Sequence, residues 1–130
     1  MRRLLVVFGA GALGGLVNSL VVWLFGFYDI NQSLGVEITP ALTPDWLYPR
    51  VVWGGLWGFL FLLPMLRSRM LAQSFVLSLF PTIVQLLVVF PYQMGVGIAG
   101  FQLGLLTPVL VVFFNWVWAL TAAVALRLGR

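Results

Sequence analysis

The sequence predicts an all-α integral membrane protein, a bundle of four transmembrane helices forming a single domain over residues 1–130. Of the 130 residues 62% are hydrophobic and only 8% are charged, whereas soluble domains carry about 25% charged residues. The mean hydropathy is +1.10. Apolar runs cover about residues 4–28, 51–66, 70–90 and 107–126, and a helix of about 20 such residues crosses the hydrocarbon core of a bilayer.

The first apolar run carries a stripe of small and polar residues. Gly11, Gly15 and Asn18 are spaced i, i+4, i+7, so they share one helix face, and a Gly-x-x-x-Gly pair favours close helix packing in lipid. We expect the other three helices to pack on this face. Gly9, Gly11 and Gly14 also match the G-x-G-x-x-G motif of dinucleotide folds, but that fold requires a second strand and an acid after it. The chain instead continues as an apolar helix.

The loop over residues 29–49 contains all the acids of the chain. Thr43, Pro44 and Asp45 match a helix start, with a threonine N-cap, proline at the first helical position and an acid in the first turn. We interpret Glu37, Asp45 and Arg50 as outer-loop charges, solvated and with one ion pair to Arg50. Acid–base chemistry by the two carboxylates is the alternative hypothesis.

The second and third runs carry similar stripes. Gly54 and Gly58 repeat the small-x-x-x-small pattern, and this span is short unless the turn at Thr43 continues into it. In the third run a polar stripe at i, i+4, i+8 and i+11 is formed by Ser74, Ser78, Thr82 and Gln85. Pro81 lies on the same side and is predicted to kink the helix.

The loop over residues 91–106 is uncharged and rich in glycine, and we expect it to lie in the membrane interface or to re-enter the membrane against protein. Thr107 and Pro108 repeat the helix-start pattern. With four spans, six arginines fall on one side, which the positive-inside rule assigns to the cytoplasm: Arg2, Arg3, Arg67, Arg69, Arg127 and Arg130. Both termini and the turn 67–69 are then cytoplasmic. In type, the chain resembles small multi-pass proteins of bacterial inner membranes, a resemblance that carries no function.

Three carboxamides, Asn18, Gln85 and Asn115, are predicted to form a polar layer. Counted at about 1.5 Å per residue, they lie at similar depth in the outer half of the bundle, each on the polar stripe of its helix. We favour interhelical hydrogen bonding, which in membranes contributes about 0.6 kcal/mol per bond. The alternative is a site for a small solute, an ion or a lipid headgroup.

Composition limits the chemistry. The chain has no cysteine, no histidine and no lysine, and the predicted spans contain no charged residue. We therefore expect no catalytic residues, no metal, no cofactor and no enzyme activity. A net charge of +4 is too small and scattered for nucleic-acid binding. The first hypothesis is a non-enzymatic helix-packing module, either a homo-oligomer or an accessory subunit of a membrane complex, with the bilayer and another membrane protein as partners. The alternative is a small pore or carrier that uses the polar layer.

Overall fold

The computed structural model describes residues 2–36, 38, 40–63, 69–95 and 97–128, and every regular element in these ranges is helical. The helices are α1 (Arg2–Phe27), α2 (Ile30–Ser33), α3 (Pro44–Trp57), α4 (Met70–Val84) and α5 (Thr107–Leu128). A 3-10 helix (Gly58–Leu62) continues α3, a π-helix (Gln85–Met94) continues α4, and a 3-10 turn (Ile98–Gly100) precedes α5. The predicted all-helical class is confirmed for the described residues.

Three of the described helices are long and apolar enough to cross a membrane. They are α1, α4 with its continuation to Met94, and α5. The second predicted span corresponds to α3 and its 3-10 continuation, a 14-residue helix followed by five residues, and it is not among these three. The predicted end of that span and most of the basic turn, residues 64–68, lie outside the described ranges.

Helix α3 begins seven residues earlier than the predicted span. Thr43 is its N-cap, and its hydroxyl accepts a hydrogen bond from the Trp46 amide at 3.3 Å, with Pro44 in the first helical position. This helix start, predicted from residue type alone, is confirmed. Because the helix includes both Asp45 and Arg50, these two of the three predicted outer-loop charges lie on α3 and not in an irregular loop.

Helix α1 is the central helix, with α3 on one side and α5 on the other. A Cβ added at Gly11 would lie 2.7 Å from the Cα atom of Gly58, and one added at Gly15 would lie 3.3 Å from the Cα atom of Gly54. Only glycine permits this backbone approach, because any side chain would meet the backbone of the facing helix. The structure thus brings together the four glycines of the two predicted stripes.

Helix α4 packs on α5 rather than on α1, so the expectation that all three other helices pack on the first is wrong. Ser74, Ser78 and Thr82 are buried in α4, which packs on α5. Small hydroxyl residues permit close approach in lipid as glycine does, and they occupy this interface. The α-helix continues through Pro81 and changes to π-helix only at Gln85.

The packing order α3, α1, α5, α4 leaves a cleft between α3 and α4, which make few contacts with each other. One apolar cluster, including Val7, Phe61 and Leu77, fills one end of the bundle, and a second, including Val22 and Val36, lies at the end that carries the two long loops. We call the latter the loop end. Asn18 in α1 lies along the chain between the α1 residues of these two clusters.

The two long loops meet at Gly35 and Gly104. A Cβ added at Gly104, whose φ is +152°, would lie 3.0 Å from the Cα atom of Val36. The segment after the π-helix also folds back, because Gly100 lies against the ring of Phe90. Gly100 and Gly104, which belong to the segment predicted to be interfacial or re-entrant, therefore lie against protein at the loop end. The position of this segment relative to the membrane stays a prediction.

Candidate functional site

A hydrogen-bonded cluster links α1, α3 and α5 at the predicted polar layer. The side-chain amide of Asn18 donates to the carbonyl oxygen of Phe114 at 2.5 Å and accepts from Nη2 of Arg50 at 2.8 Å. Nε of Arg50 donates to the hydroxyl of Ser19 at 2.8 Å, and that hydroxyl donates to the Gly15 carbonyl at 2.7 Å. Asn18 thus connects three helices through both ends of its carboxamide.

The described contacts of the Arg50 guanidinium are all with neutral groups. Besides Asn18 and Ser19, the indole of Trp46 lies against it, with 4.7 Å between the Cζ atom and the ring centroid. A cation over an indole face is stabilised by about 0.5–2 kcal/mol. The described carboxylates, those of Asp29 and Asp45, belong to exposed residues, and the predicted partner Glu37 lies outside the described ranges. The ion pair predicted for Arg50, with Asp45 or Glu37 as partner, is therefore not supported for Asp45, and its Glu37 alternative lies outside the described residues.

The other two predicted carboxamides form a second cluster between α4 and α5. Nδ2 of Asn115 donates to the Thr82 hydroxyl at 2.9 Å and lies 3.5 Å from Oε1 of Gln85, a weaker contact. The Thr82 hydroxyl itself donates to the Ser78 carbonyl at 2.7 Å. Since Asn115 follows Phe114 in α5, the two clusters are joined through adjacent residues of one helix.

Two adjoining cavities lie between these clusters. The first, of about 340 Å³, opens between α3 and α4 and is bordered by Trp53 and Trp57 on one side and by Val84 and Val88 on the other. The second, of about 510 Å³, extends toward the loop end under Pro40 and Leu103. A shared set of side chains lines both: Asn18, Arg50, Gln85 and Asn115. The three predicted carboxamides therefore line the same two cavities, and the guanidinium of Arg50 lines them as well.

The remaining predicted residues have other positions. Gly11, Gly15, Gly54 and Gly58 form the α1–α3 contact described above, and Gly15 and Gly54 also line the α3–α4 cavity. Ser74 and Ser78 are fully buried, and their hydroxyls donate to the backbone carbonyls of Met70 and Phe75 in their own helix. We assign these two serines to helix packing, because their hydroxyl donors are satisfied within α4 and neither residue lines the two cavities.

Sequence reasoning missed Arg50, Ser19 and the tryptophans of α3 as residues of this site. A signal was present, because Trp46, Arg50, Trp53 and Trp57 are spaced i, i+4, i+7, i+11 and therefore share a helix face. The signal becomes visible only when the helix is extended back to Pro44. Another indole, that of Trp118 in α5, also lines the α3–α4 cavity. Its N–H donates to the carbonyls of Gly11 and Gly54 at 3.0 and 3.3 Å.

Comparison with known proteins adds no relative: no family model, curated protein or solved structure gives a significant match to this chain. The class is therefore given by the fold and composition alone. The chain is an all-helical protein whose long apolar helices are those of a membrane protein. What it does in the membrane has to be inferred from the cavities and the side chains that line them.

Proposed function

We propose that this protein binds a small solute in the two joined cavities and moves it across the membrane. The observation that carries this proposal is that Asn18, Gln85, Asn115 and Arg50 line both cavities. Carboxamides that served only to hydrogen-bond one helix to another would not need to border a cavity. Here the polar layer borders a total space in the range of small-molecule sites, about 300–1,000 Å³.

A carrier is favoured over an open pore. The cavities extend from the loop end to the level of Trp57 and Trp118, and the apolar cluster that contains Phe61 and Leu77 fills the opposite end. A solute would therefore reach the polar layer from the loop end or laterally through the cleft between α3 and α4, and not from the end filled by this cluster. Passage to the other side requires a change in the packing of this cluster, as in alternating access.

The proposal includes α3 and its 3-10 continuation as a fourth span. At about 1.5 Å per α-helical residue and about 2.0 Å per 3-10 residue, the segment Pro44–Leu62 measures about 31 Å, which matches a hydrocarbon core of about 30 Å. We further propose that both termini are cytoplasmic, on the distribution of arginines. The loop end then faces outward, and the membrane is the inner membrane of a bacterium.

The packing-module hypothesis has less support from the geometry. It calls for small-residue faces free to receive a partner, but Gly11 and Gly15 face Gly54 and Gly58 within the chain. The hypothesis stays a prediction, as does the absence of enzyme activity. The experiment below distinguishes the packing module from the carrier.

The test substitutes Asn115→Leu and measures stability and transport on the same preparation. Leucine leaves the Thr82 hydroxyl and the Gln85 carboxamide without their donor, and an unpaired buried polar group costs about 1–3 kcal/mol. Vesicles with the wild-type protein are screened with small inorganic ions, organic anions and neutral solutes. We expect flux of at least one class. The substitution should reduce this flux about tenfold or more, because the solute loses a hydrogen-bonding partner in the site and a loss of about 1.4 kcal/mol in its binding corresponds to a factor of ten.

Thr121→Val is the matched control. It also removes a polar group from α5, but the Thr121 hydroxyl bonds only to the Val117 carbonyl of its own helix, and the residue borders neither cavity. Its flux should equal that of the wild type. Wild-type vesicles that transport nothing above protein-free vesicles, with Asn115→Leu changing stability alone, would refute the carrier and favour the packing module.

A further inference from the structure

The cation of the site differs from its other polar groups in carrying a charge that no described carboxylate balances. Arg50 uses two of the five N–H donors of a guanidinium on Asn18 and Ser19. Its remaining donors belong to a side chain that borders both cavities. A charged group inside a membrane protein is costly unless it is paired, so such residues mark ligand sites.

We propose that Arg50 binds the anionic head of an amphiphile, a phosphate or carboxylate group attached to an apolar chain, whose chain lies in the cleft between α3 and α4. This inference rests on the proposed function and specifies its substrate class. Guanidinium binds these two groups through parallel N–H donors in a planar fork. The carboxamide of Gln85 lies on the same cavities and supplies further donors.

The apolar part of the ligand is inferred from the rest of the lining. Away from the polar layer the α3–α4 cavity is bordered by Trp53, Trp57, Val84, Val88 and Val89. Trp53 and Val88 are themselves 61% and 44% exposed, so the cleft is open on its lateral side, where the surroundings of a membrane protein are lipid chains. A small inorganic anion would leave these walls without contacts, whereas an alkyl chain would cover them.

The test separates the head from the chain. The protein in dodecyl maltoside micelles, which contain no phosphate or carboxylate, is titrated calorimetrically with octyl phosphate, with octanol and with inorganic phosphate. The heats from protein-free micelles are subtracted. We expect octyl phosphate to bind saturably and about tenfold or more tightly than either fragment, since hydrogen bonds to charged groups and chain burial add in one ligand. This comparison needs no variant, so it holds even if substitution of Arg50 prevents folding.

Three variants locate the charge recognition. Arg50→Gln should abolish the preference for octyl phosphate over octanol while leaving octanol binding unchanged, and Arg50→Lys should retain part of it as a point charge without the planar fork. Arg69→Gln removes an exposed arginine that borders neither cavity and should change nothing. Glu37→Gln should also leave the binding unchanged.

Each contrary result has a distinct meaning. Octyl phosphate binding no tighter than octanol, while neutral solutes are still transported, overturns the anion inference and leaves the carrier proposal standing. If inorganic phosphate binds as tightly as octyl phosphate, the apolar chain contributes nothing to binding, and the inference of an amphiphilic ligand is overturned. Stronger anion binding in Glu37→Gln indicates that the guanidinium is already paired in the wild type, which also overturns the inference. If none of the three ligands binds and no solute is transported, the proposed function itself is refuted.

Discussion

The contact between α1 and α3 predicts a large difference between two neighbouring glycines of α1. In Gly11→Ala the new methyl group would lie 2.7 Å from the Cα atom and 3.0 Å from the amide nitrogen of Gly58, whereas nonbonded carbon atoms prefer about 3.5–4.0 Å. The Gly54 carbonyl oxygen is closer still, and all three obstacles are backbone atoms, so the two helices have to separate. In Gly9→Ala the methyl group would meet nothing within 4 Å.

The expected magnitudes follow from these distances. Overpacking of a close contact costs about 1–3 kcal/mol, and separation of the helices would also lengthen the hydrogen bonds from Trp118 to the Gly11 and Gly54 carbonyls. Replacement of an unobstructed helical glycine by alanine stabilises by about 0.5–1 kcal/mol. Since both variants gain the same helix propensity, Gly11→Ala should be less stable than Gly9→Ala by the overpacking cost of about 1–3 kcal/mol.

The measurement is the free energy of unfolding by titration of the detergent-solubilised protein with sodium dodecyl sulfate, followed by circular dichroism. Gly9→Ala is the control for helix propensity and for the general effect of an added methyl group. If the two variants differ by less than about 0.5 kcal/mol, the range of ordinary surface substitutions, the Gly11 face does not contact α3 and the packing order described above is wrong.

Two further predictions test the orientation and the junction of the three packed helices. In this cysteine-free chain, an impermeant thiol reagent added outside should label Ser33→Cys but not Leu128→Cys, both at exposed positions; the reverse pattern would contradict the proposed topology. Trp118→Phe removes the indole N–H that bonds to Gly11 and Gly54 but keeps an aromatic ring. The Gly54 carbonyl still accepts from the Gly58 amide, so the free energy of unfolding should fall by about 0.5–1.5 kcal/mol, the net contribution of a hydrogen bond. An unchanged midpoint in the same detergent titration would show that this indole is not the junction.

Much of the molecule is determined by the sequence alone, because a bilayer imposes few choices on a chain of this composition. An 8% charged chain cannot cover itself with a wetted surface, and in lipid every backbone polar group has to be bonded internally, which selects helices. Helical periodicity then places Gly11, Gly15 and Asn18 on one face. The cap at Thr43 is equally local, since it depends on residues adjacent in the chain. The cap predicted at Thr107 is not formed, because Thr107 lies within α5 and its buried hydroxyl has no hydrogen-bond partner among the described residues.

Which faces meet was decided only in three dimensions. Periodicity shows that a helix has a small-residue face, but not which other face it contacts. The glycines of α1 are matched by those of α3, and the serines of α4 pack against α5, so the fourth helix is held away from α1 and a cleft remains. The position of Arg50 depends on the local sequence and on the tertiary structure. The helix start at Thr43 and Pro44 places Arg50 on α3, and its guanidinium borders a cavity because α3 and α4 do not pack against each other. Side-chain shape at each contact, which no sequence period encodes, therefore decides that Arg50 and the three carboxamides line the same two cavities.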